Sequence, residues 1–204
     1  MCGVVGFSCK DPIEEHYTIL QKIILQSKIR GLHSFGYSYN EDGRLITEKY
    51  HHVEEVELPK AKKLIFHNRY ATSGDYKEHL NNQPISNKEL SLVFNGVLDM
   101  RTKEEMEEHY GIKMQTYNDG EIILHKCGTN KDLLKNYIES IKGSFAGLIL
   151  TAYNELLAIR NSNRPLWKLT HLDAIFYAST KDIFKRVDKT FEPIQLKENE
   201  LYED

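Results

Sequence analysis

Short apolar runs separated by polar turns dominate this chain. They predict β-strands at residues 3–8, 34–39, 45–49, 63–68, 90–94, 145–152, 155–160 and 174–178. The run Asn40-Glu41-Asp42-Gly43 has the residues of a tight hairpin turn, so the second and third strands should be antiparallel neighbours. Because most of the strands cluster in hairpins, we expect largely antiparallel sheets with helices on their outer faces.

Fewer helices are predicted, which indicates the α+β class. The first has apolar residues at positions 13, 17, 20 and 24, and three more are expected at 102–110, 119–127 and 131–142. Thr102 with Glu105, and Asn118 with Glu121, have the spacing of a capping box at a helix start. Gly143 is expected to cap the end of the last helix.

Composition excludes several function classes. A chain of 204 residues with 40% hydrophobic and 28% charged residues fits one globular domain. The net charge of −3, with both signs interspersed, provides no field that would recruit nucleic acid or an anionic membrane. The sequence shows neither the ~20 apolar residues of a membrane span nor the pattern of a signal peptide.

The three cysteines, Cys2, Cys9 and Cys127, form an odd and scattered set. No pair has the spacing of metal ligands, and such a set is typical of free thiols in a reducing compartment. We therefore expect a cytoplasmic protein without metal or cofactor, in which Cys9 and Cys127 are structural.

Cys2 is the first candidate for chemistry. It directly follows Met1, and an initiator methionine is normally removed when a small residue follows it. Removal would leave a cysteine with a free α-amine, whose ordinary pKa of about 7.7–8.0 suits it to take the thiol proton. A cysteine at this position can also be incidental, so the prediction depends on the rest of the chain.

Further blocks follow Cys2 in a fixed order. They are Arg30-Gly31-Leu32-His33-Ser34-Phe35-Gly36, His67-Asn68-Arg69-Tyr70-Ala71-Thr72-Ser73-Gly74, Asn82-Gln83-Pro84, Phe94-Asn95-Gly96-Val97 and Asn118-Asp119-Gly120-Glu121. In content, order and spacing the series resembles the glutaminase domain of class II glutamine amidotransferases, the N-terminal-nucleophile (Ntn) hydrolases. The glutaminase halves of amidophosphoribosyltransferase and glucosamine-6-phosphate synthase are familiar members. Weaker matches extend the resemblance over most of the chain.

The resemblance implies a four-layer αββα sandwich, in which two antiparallel sheets lie face to face between two helical layers. The nucleophile would lie at the end of the first strand. We expect one glutaminase-type domain over residues 1–204, with no synthase domain. The substrate would be glutamine, and the released ammonia would pass to a separate acceptor enzyme.

The resemblance also implies catalytic roles. Cys2 would form a thioester with the substrate, while the Asn95 amide and the Gly96 backbone N–H would form the oxyanion hole. Arg30 would support the loop near the nucleophile. Asn-Gly is also a common hairpin turn, which is the alternative interpretation of Asn95 and Gly96.

Glutamine carries an α-carboxylate and an α-ammonium, so its recognition requires one cation and one anion. Arg69 would bind the carboxylate, helped by Tyr70, Thr72 and Ser73. Asp119 would accept from the ammonium. The alternatives are a surface arginine and a helix N-cap aspartate.

The chain departs from the family pattern in a few places. His33 replaces the usual aspartate of its block, which puts local packing or loop pairing in doubt. Tyr70 and Ser73 replace tryptophan and histidine, as in the amidophosphoribosyltransferase branch. An irregular loop at 75–82 lies where the family's glutamine-covering loop falls, so the affinity for glutamine would differ from the family norm. Two other functions stay open: hydrolysis of another γ-glutamyl compound, and a non-catalytic regulatory module with the same fold, which a retained Met1 would favour.

Overall fold

The computed structural model describes residues 2–70 and 76–204. Its strands are β1 Gly3–Cys9, β2 Ser34–Glu41, β3 Arg44–Tyr50, β4 Lys63–Arg69, β5 Ile85–Ser86, β6 Leu90–Val97, β7 Ser144–Thr151, β8 Leu156–Arg160, β9 Trp167–His171, β10 Ala174–Ala178, β11 Ile194–Gln195 and β12 Tyr202–Glu203. Its α-helices are α1 Glu14–Ser27, α2 Lys103–Tyr110, α3 Glu121–Lys126, α4 Lys131–Ser140 and α5 Lys181–Val187. All eight predicted strands are present, with ends that differ by at most three residues.

The strands form two sheets in which each neighbouring pair is antiparallel. The larger sheet has the order β11-β9-β10-β1-β4-β2-β3, and the smaller has the order β12-β8-β7-β6-β5. β1 is therefore the central strand of the larger sheet. Because β4 and β10 pair with it on both sides, the chain is held firmly from Gly3 onward.

Alternation of side chains along the strands produces four layers. In β1, Val4 packs between the two sheets, whereas Val5 and Phe7 pack with α1 and α5. In β6, Val93 packs between the sheets, whereas Phe94 packs with α3 and α4. The order helix–sheet–sheet–helix confirms the predicted αββα sandwich.

Two local predictions are confirmed. The turn between β2 and β3 places Asp42 at φ 50° and Gly43 at φ 80°, the left-handed conformations that a two-residue hairpin turn requires. At the start of α2, the Thr102 hydroxyl accepts from the Glu105 N–H while the Glu105 carboxylate accepts from the Thr102 N–H.

Both other helix-end predictions are wrong. Asn118 does not cap a helix at 119: its Oδ1 accepts from the Gly120 N–H, and α3 begins at Glu121. The Glu121 carboxylate turns instead to the backbone amides of Gln115 and Thr116. α4 ends at Ser140, before Gly143. Position 143 requires glycine because an added Cβ would lie 2.0 Å from the Val97 carbonyl oxygen.

The apolar pattern does not predict β9, α5 or the two-residue strands β5, β11 and β12. Three of the five residues of β9 are only half-buried, so the strand shows no clean alternation. α5 spans seven residues, which is less than two full turns and too short to show a helical period.

Candidate active site

Cys2 lies immediately before the central strand β1. Its thiol Sγ donates to the Tyr70 carbonyl oxygen at 3.8 Å, just beyond the end of β4. The Arg30 Nε donates to the Cys2 carbonyl oxygen at 3.3 Å. Arg30 therefore contacts the backbone of Cys2, next to the loop that it is predicted to support.

Asn95 and Gly96 lie near the end of β6, next to β7. The Asn95 side chain is only 4% exposed, and its Nδ2 has no hydrogen-bond partner among the described residues. Both residues pair with β7 inside the sheet, which excludes the hairpin-turn alternative. At Gly96 a Cβ would lie 1.9 Å from the Ser144 carbonyl oxygen, so only glycine fits there.

The side chains of Asn95 and Cys2 lie on the strand faces that meet between the two sheets. Val93 and Val4 pack in the space between the two sheets, and side chains two residues apart on a strand share a face. Asn95 therefore points towards the larger sheet on the face where Cys2 lies. The unpaired Nδ2 is a donor available at the end of the layer that carries the thiol.

A cavity of about 390 Å³ brings most of the predicted site residues together. Cys2, Arg69, Tyr70, Gly96 and Asp119 line it. Asn95 and Arg30 are not among its lining residues, but Asn95 adjoins the lining residues Phe94 and Gly96 in β6, and Arg30 contacts Cys2. Thr72 and Ser73 lie outside the described residues.

Arg69 is a buried cation in this cavity wall, which excludes the surface-arginine alternative. Its Nη1 donates to the Asn82 Oδ1 at 2.5 Å and to the Asn81 carbonyl oxygen at 3.3 Å. The Asn82 Nδ2 in turn donates to the Tyr76 carbonyl oxygen at 2.7 Å. Residues of the 76–82 segment thus fix the direction of the guanidinium.

Asp119 is the acidic counterpart on the same cavity wall. Its Oδ2 accepts from the backbone amides of Leu98 at 2.6 Å and Asp99 at 3.1 Å, so it holds a loop and does not cap α3. Burial raises the pKa of the Asp119 carboxyl, against the lowering effect of these two amides. A cation bound next to Asp119 would offset this cost of burying the carboxylate.

His67 and Gln83 also line the cavity and were not among the predicted site residues. His67 is fully buried, and this burial, with a smaller effect of the neighbouring Arg69 cation, lowers its pKa to about 3. His67 lies two positions before Arg69 in β4, on the same face, and that spacing was the available signal. The Gln83 Oε1 accepts from the Phe94 N–H at 2.6 Å and holds the strand that carries Asn95.

Residues 2–70 and 76–204 carry neither a metal-binding cluster nor a membrane-spanning helix. These residues contain no group of three or more His, Cys, Asp or Glu side chains that could hold a metal ion. Within the same ranges, none of the helices has the length and apolar character needed to cross a membrane.

Known proteins are similar to this chain in both sequence and structure. A family model described as a glutamine amidotransferase domain matches residues 67–186. The glutamine–fructose-6-phosphate aminotransferase of Aquifex aeolicus is 30% identical over 181 residues, which are 80% of this chain and 30% of that protein. The amidophosphoribosyltransferase of Bacillus subtilis is 35% identical over 159 residues, which are 72% of this chain and 33% of that protein.

A solved structure covers the whole chain. It is the glutamine phosphoribosylpyrophosphate amidotransferase of B. subtilis in complex with ADP and GMP, with a TM-score of 0.75 and 25% identity over 49% of that chain. The present chain spans about a third of the length of the two curated relatives. The matched family model, these relatives and the shared fold show that this chain belongs to the class II glutamine amidotransferase domains.

Proposed function

We propose that this protein hydrolyses the side-chain amide of glutamine to glutamate and ammonia, with Cys2 as nucleophile. The observation that carries the proposal is the cavity in which the Cys2 thiol, the Arg69 cation and the Asp119 carboxylate meet. Free glutamine has one group for each of these residues: the carboxamide for the thiol, the α-carboxylate for the cation and the α-ammonium for the carboxylate. Arg69 would bind the α-carboxylate, and Asp119 would accept from the α-ammonium.

The reaction would proceed in two steps, formation of a thioester and its hydrolysis. The Cys2 thiolate attacks the amide carbon, and the thiol proton moves to the α-amine of Cys2 and then to the departing ammonia. The negative charge on the amide oxygen would be stabilised by the Asn95 Nδ2 and the Gly96 N–H. Water then attacks the thioester carbon, which releases glutamate and restores the thiol. This mechanism requires that Met1 be removed.

We propose further that the ammonia passes to a separate acceptor synthase. The A. aeolicus relative is named as an aminotransferase from glutamine to fructose 6-phosphate, so in that protein the nitrogen has an acceptor. The three cysteines are free thiols, which fits a reducing, cytoplasmic location.

The proposal is tested by intact mass measurement before and after incubation with a glutamine-like diazoketone. We expect loss of Met1 and one adduct on Cys2, blocked by excess glutamine, together with release of ammonia from glutamine. A trimmed protein that gains no adduct and releases no ammonia would contradict glutamine as the substrate. Retained Met1 without an adduct would favour the non-catalytic module.

Replacing Asp119 by asparagine tests substrate recognition. We expect the KM for glutamine to rise about 10- to 100-fold, because a hydrogen bond between two charged groups is lost. The kcat should change less, since Asp119 is proposed to contact the α-ammonium and not the reacting carboxamide. The exposed Asp132→Asn on α4 is the matched control. An unchanged KM would return Asp119 to a purely structural role in holding Leu98 and Asp99.

The same variant should alter stability as a function of pH. Because the pKa of Asp119 is raised in the folded state, protonation of this carboxyl contributes to the free energy of unfolding. The contribution is complete at pH values below the unfolded-state pKa of about 3.9, and it is lost as the pH rises through the folded-state pKa. The Tm of the wild type should therefore fall relative to that of Asp119→Asn as the pH rises above about 4, and parallel Tm curves would contradict the raised pKa.

A further inference from the structure

His33 lies between two tyrosine rings beside the cavity. Its ring centroid is 5.2 Å from that of Tyr70, with an interplanar angle of 32°, and 5.1 Å from that of Tyr76, with an angle of 25°. Such separations are those of offset aromatic stacking. An aspartate, the residue expected at this position of the block, has no ring and cannot make these contacts.

On one side of this stack, Tyr70 contacts the proposed nucleophile. Its backbone carbonyl oxygen accepts from the Cys2 thiol. The Tyr70 side chain is half exposed, so without a neighbouring ring it would be free to change rotamer. The His33 N–H also donates to the Arg69 carbonyl oxygen at 3.0 Å, which fixes the backbone just before Tyr70.

On the other side of the stack, Tyr76 is linked through Asn82 to Arg69, the proposed carboxylate-binding residue. The Tyr76 carbonyl oxygen accepts from the Asn82 Nδ2, and the Asn82 Oδ1 accepts from the Arg69 guanidinium. Tyr76 thus begins a chain of two hydrogen bonds that ends on the proposed carboxylate-binding group. Within the described residues, the His33 ring joins this chain to the Tyr70 side.

We propose that His33 is a positioning residue, whose ring stack with Tyr70 and Tyr76 fixes the Cys2 thiol and the Arg69 guanidinium relative to each other. The inference rests on the proposed function for its effect on glutamine. The stack acts through its rings, so a phenyl ring at position 33 should replace the imidazole. An alanine or aspartate there should release both tyrosines.

The test compares His33→Ala, His33→Asp and His33→Phe with the wild type in steady-state hydrolysis of glutamine. We expect kcat/KM to fall about 10- to 100-fold in the alanine and aspartate variants, since small displacements of reacting groups are costly. Both KM and kcat should contribute, because the anchor and the thiol move together. His33→Phe should stay close to the wild type.

The matched control is His171→Ala, which removes a histidine ring 4.9 Å from the ring of Phe191 in another part of the fold. It should leave kcat/KM unchanged. The Tm of each variant is measured to show that all are folded. If His33→Phe were as impaired as His33→Ala, or if His33→Ala matched the wild type, the stacking role would be wrong.

A second readout does not require glutamine turnover. Cys9 and Cys127 are buried, so iodoacetamide should alkylate Cys2 first, and peptide mapping gives its rate. We expect severalfold faster alkylation in His33→Ala and a wild-type rate in His33→Phe, because loss of the stack loosens the Tyr70 carbonyl around the thiol. Equal rates in all three proteins would overturn the inference even if glutamine is the substrate. If the three proteins showed the expected alkylation rates but the wild type did not hydrolyse glutamine, only the proposed function would be overturned.

Discussion

Replacing Cys2 by alanine is expected to abolish glutamine hydrolysis, with a loss in kcat on the order of 10⁴ or more. The thiol is the proposed attacking atom, and the mechanism offers no second nucleophile in the cavity. The side chain is small and only partly buried, so the Tm should stay close to that of the wild type. Ammonia release and the Tm together check the prediction.

Cys127→Ala is the control for this variant. Cys127 is a buried thiol that packs with α3 and α4, and burial raises its pKa to about 11, so it is unreactive at neutral pH. Its loss should lower the Tm modestly and leave kcat unchanged. Retained turnover in Cys2→Ala would reject Cys2 as the nucleophile.

Replacing Asn95 by alanine is expected to lower kcat about 10²- to 10³-fold, the usual cost of removing one oxyanion donor. The KM should change little, because this hydrogen bond is proposed to form mainly in the transition state. The Nδ2 has no partner among the described residues, and an unpaired buried donor costs free energy. We therefore expect no fall in Tm through loss of this amide.

Asn136→Ala, on the exposed face of α4, is the matched control and should leave both kcat and Tm unchanged. The two parameters separate the possible roles of Asn95. A structural asparagine would lower the Tm and spare kcat, whereas an oxyanion donor would do the reverse. A fall in Tm with unchanged kcat would remove Asn95 from the proposed mechanism.

The strands could be predicted because their apolar residues are contiguous and buried. β1 and β4 are buried along almost their whole length, and the apolar residues of both stand out in the sequence. The start of α3 could not be predicted, because Asn118 and Glu121 have capping residue types but are drawn to other backbone amides. Spacing alone does not show which of two nearby donors an oxygen will choose.

The candidate site was predictable only as a set of residue types. The ordered blocks predicted Cys2, Arg69, Gly96 and Asp119, which the fold brings to one cavity. The contacts that hold them were not predictable, because they join residues far apart in the sequence. The Asn82 amide on Arg69 and the Arg30 guanidinium on the Cys2 backbone are examples.

The central place of β1 has a practical consequence for making the protein. An affinity tag fused ahead of Cys2 would keep its nitrogen in a peptide bond, and the proposed proton carrier would be lost. Because β4 and β10 hold the strand from Gly3 onward, such a protein would still fold and would pass every test of folding while remaining inactive. A tag at the other terminus, or one cleaved to leave cysteine as the first residue, avoids this false negative.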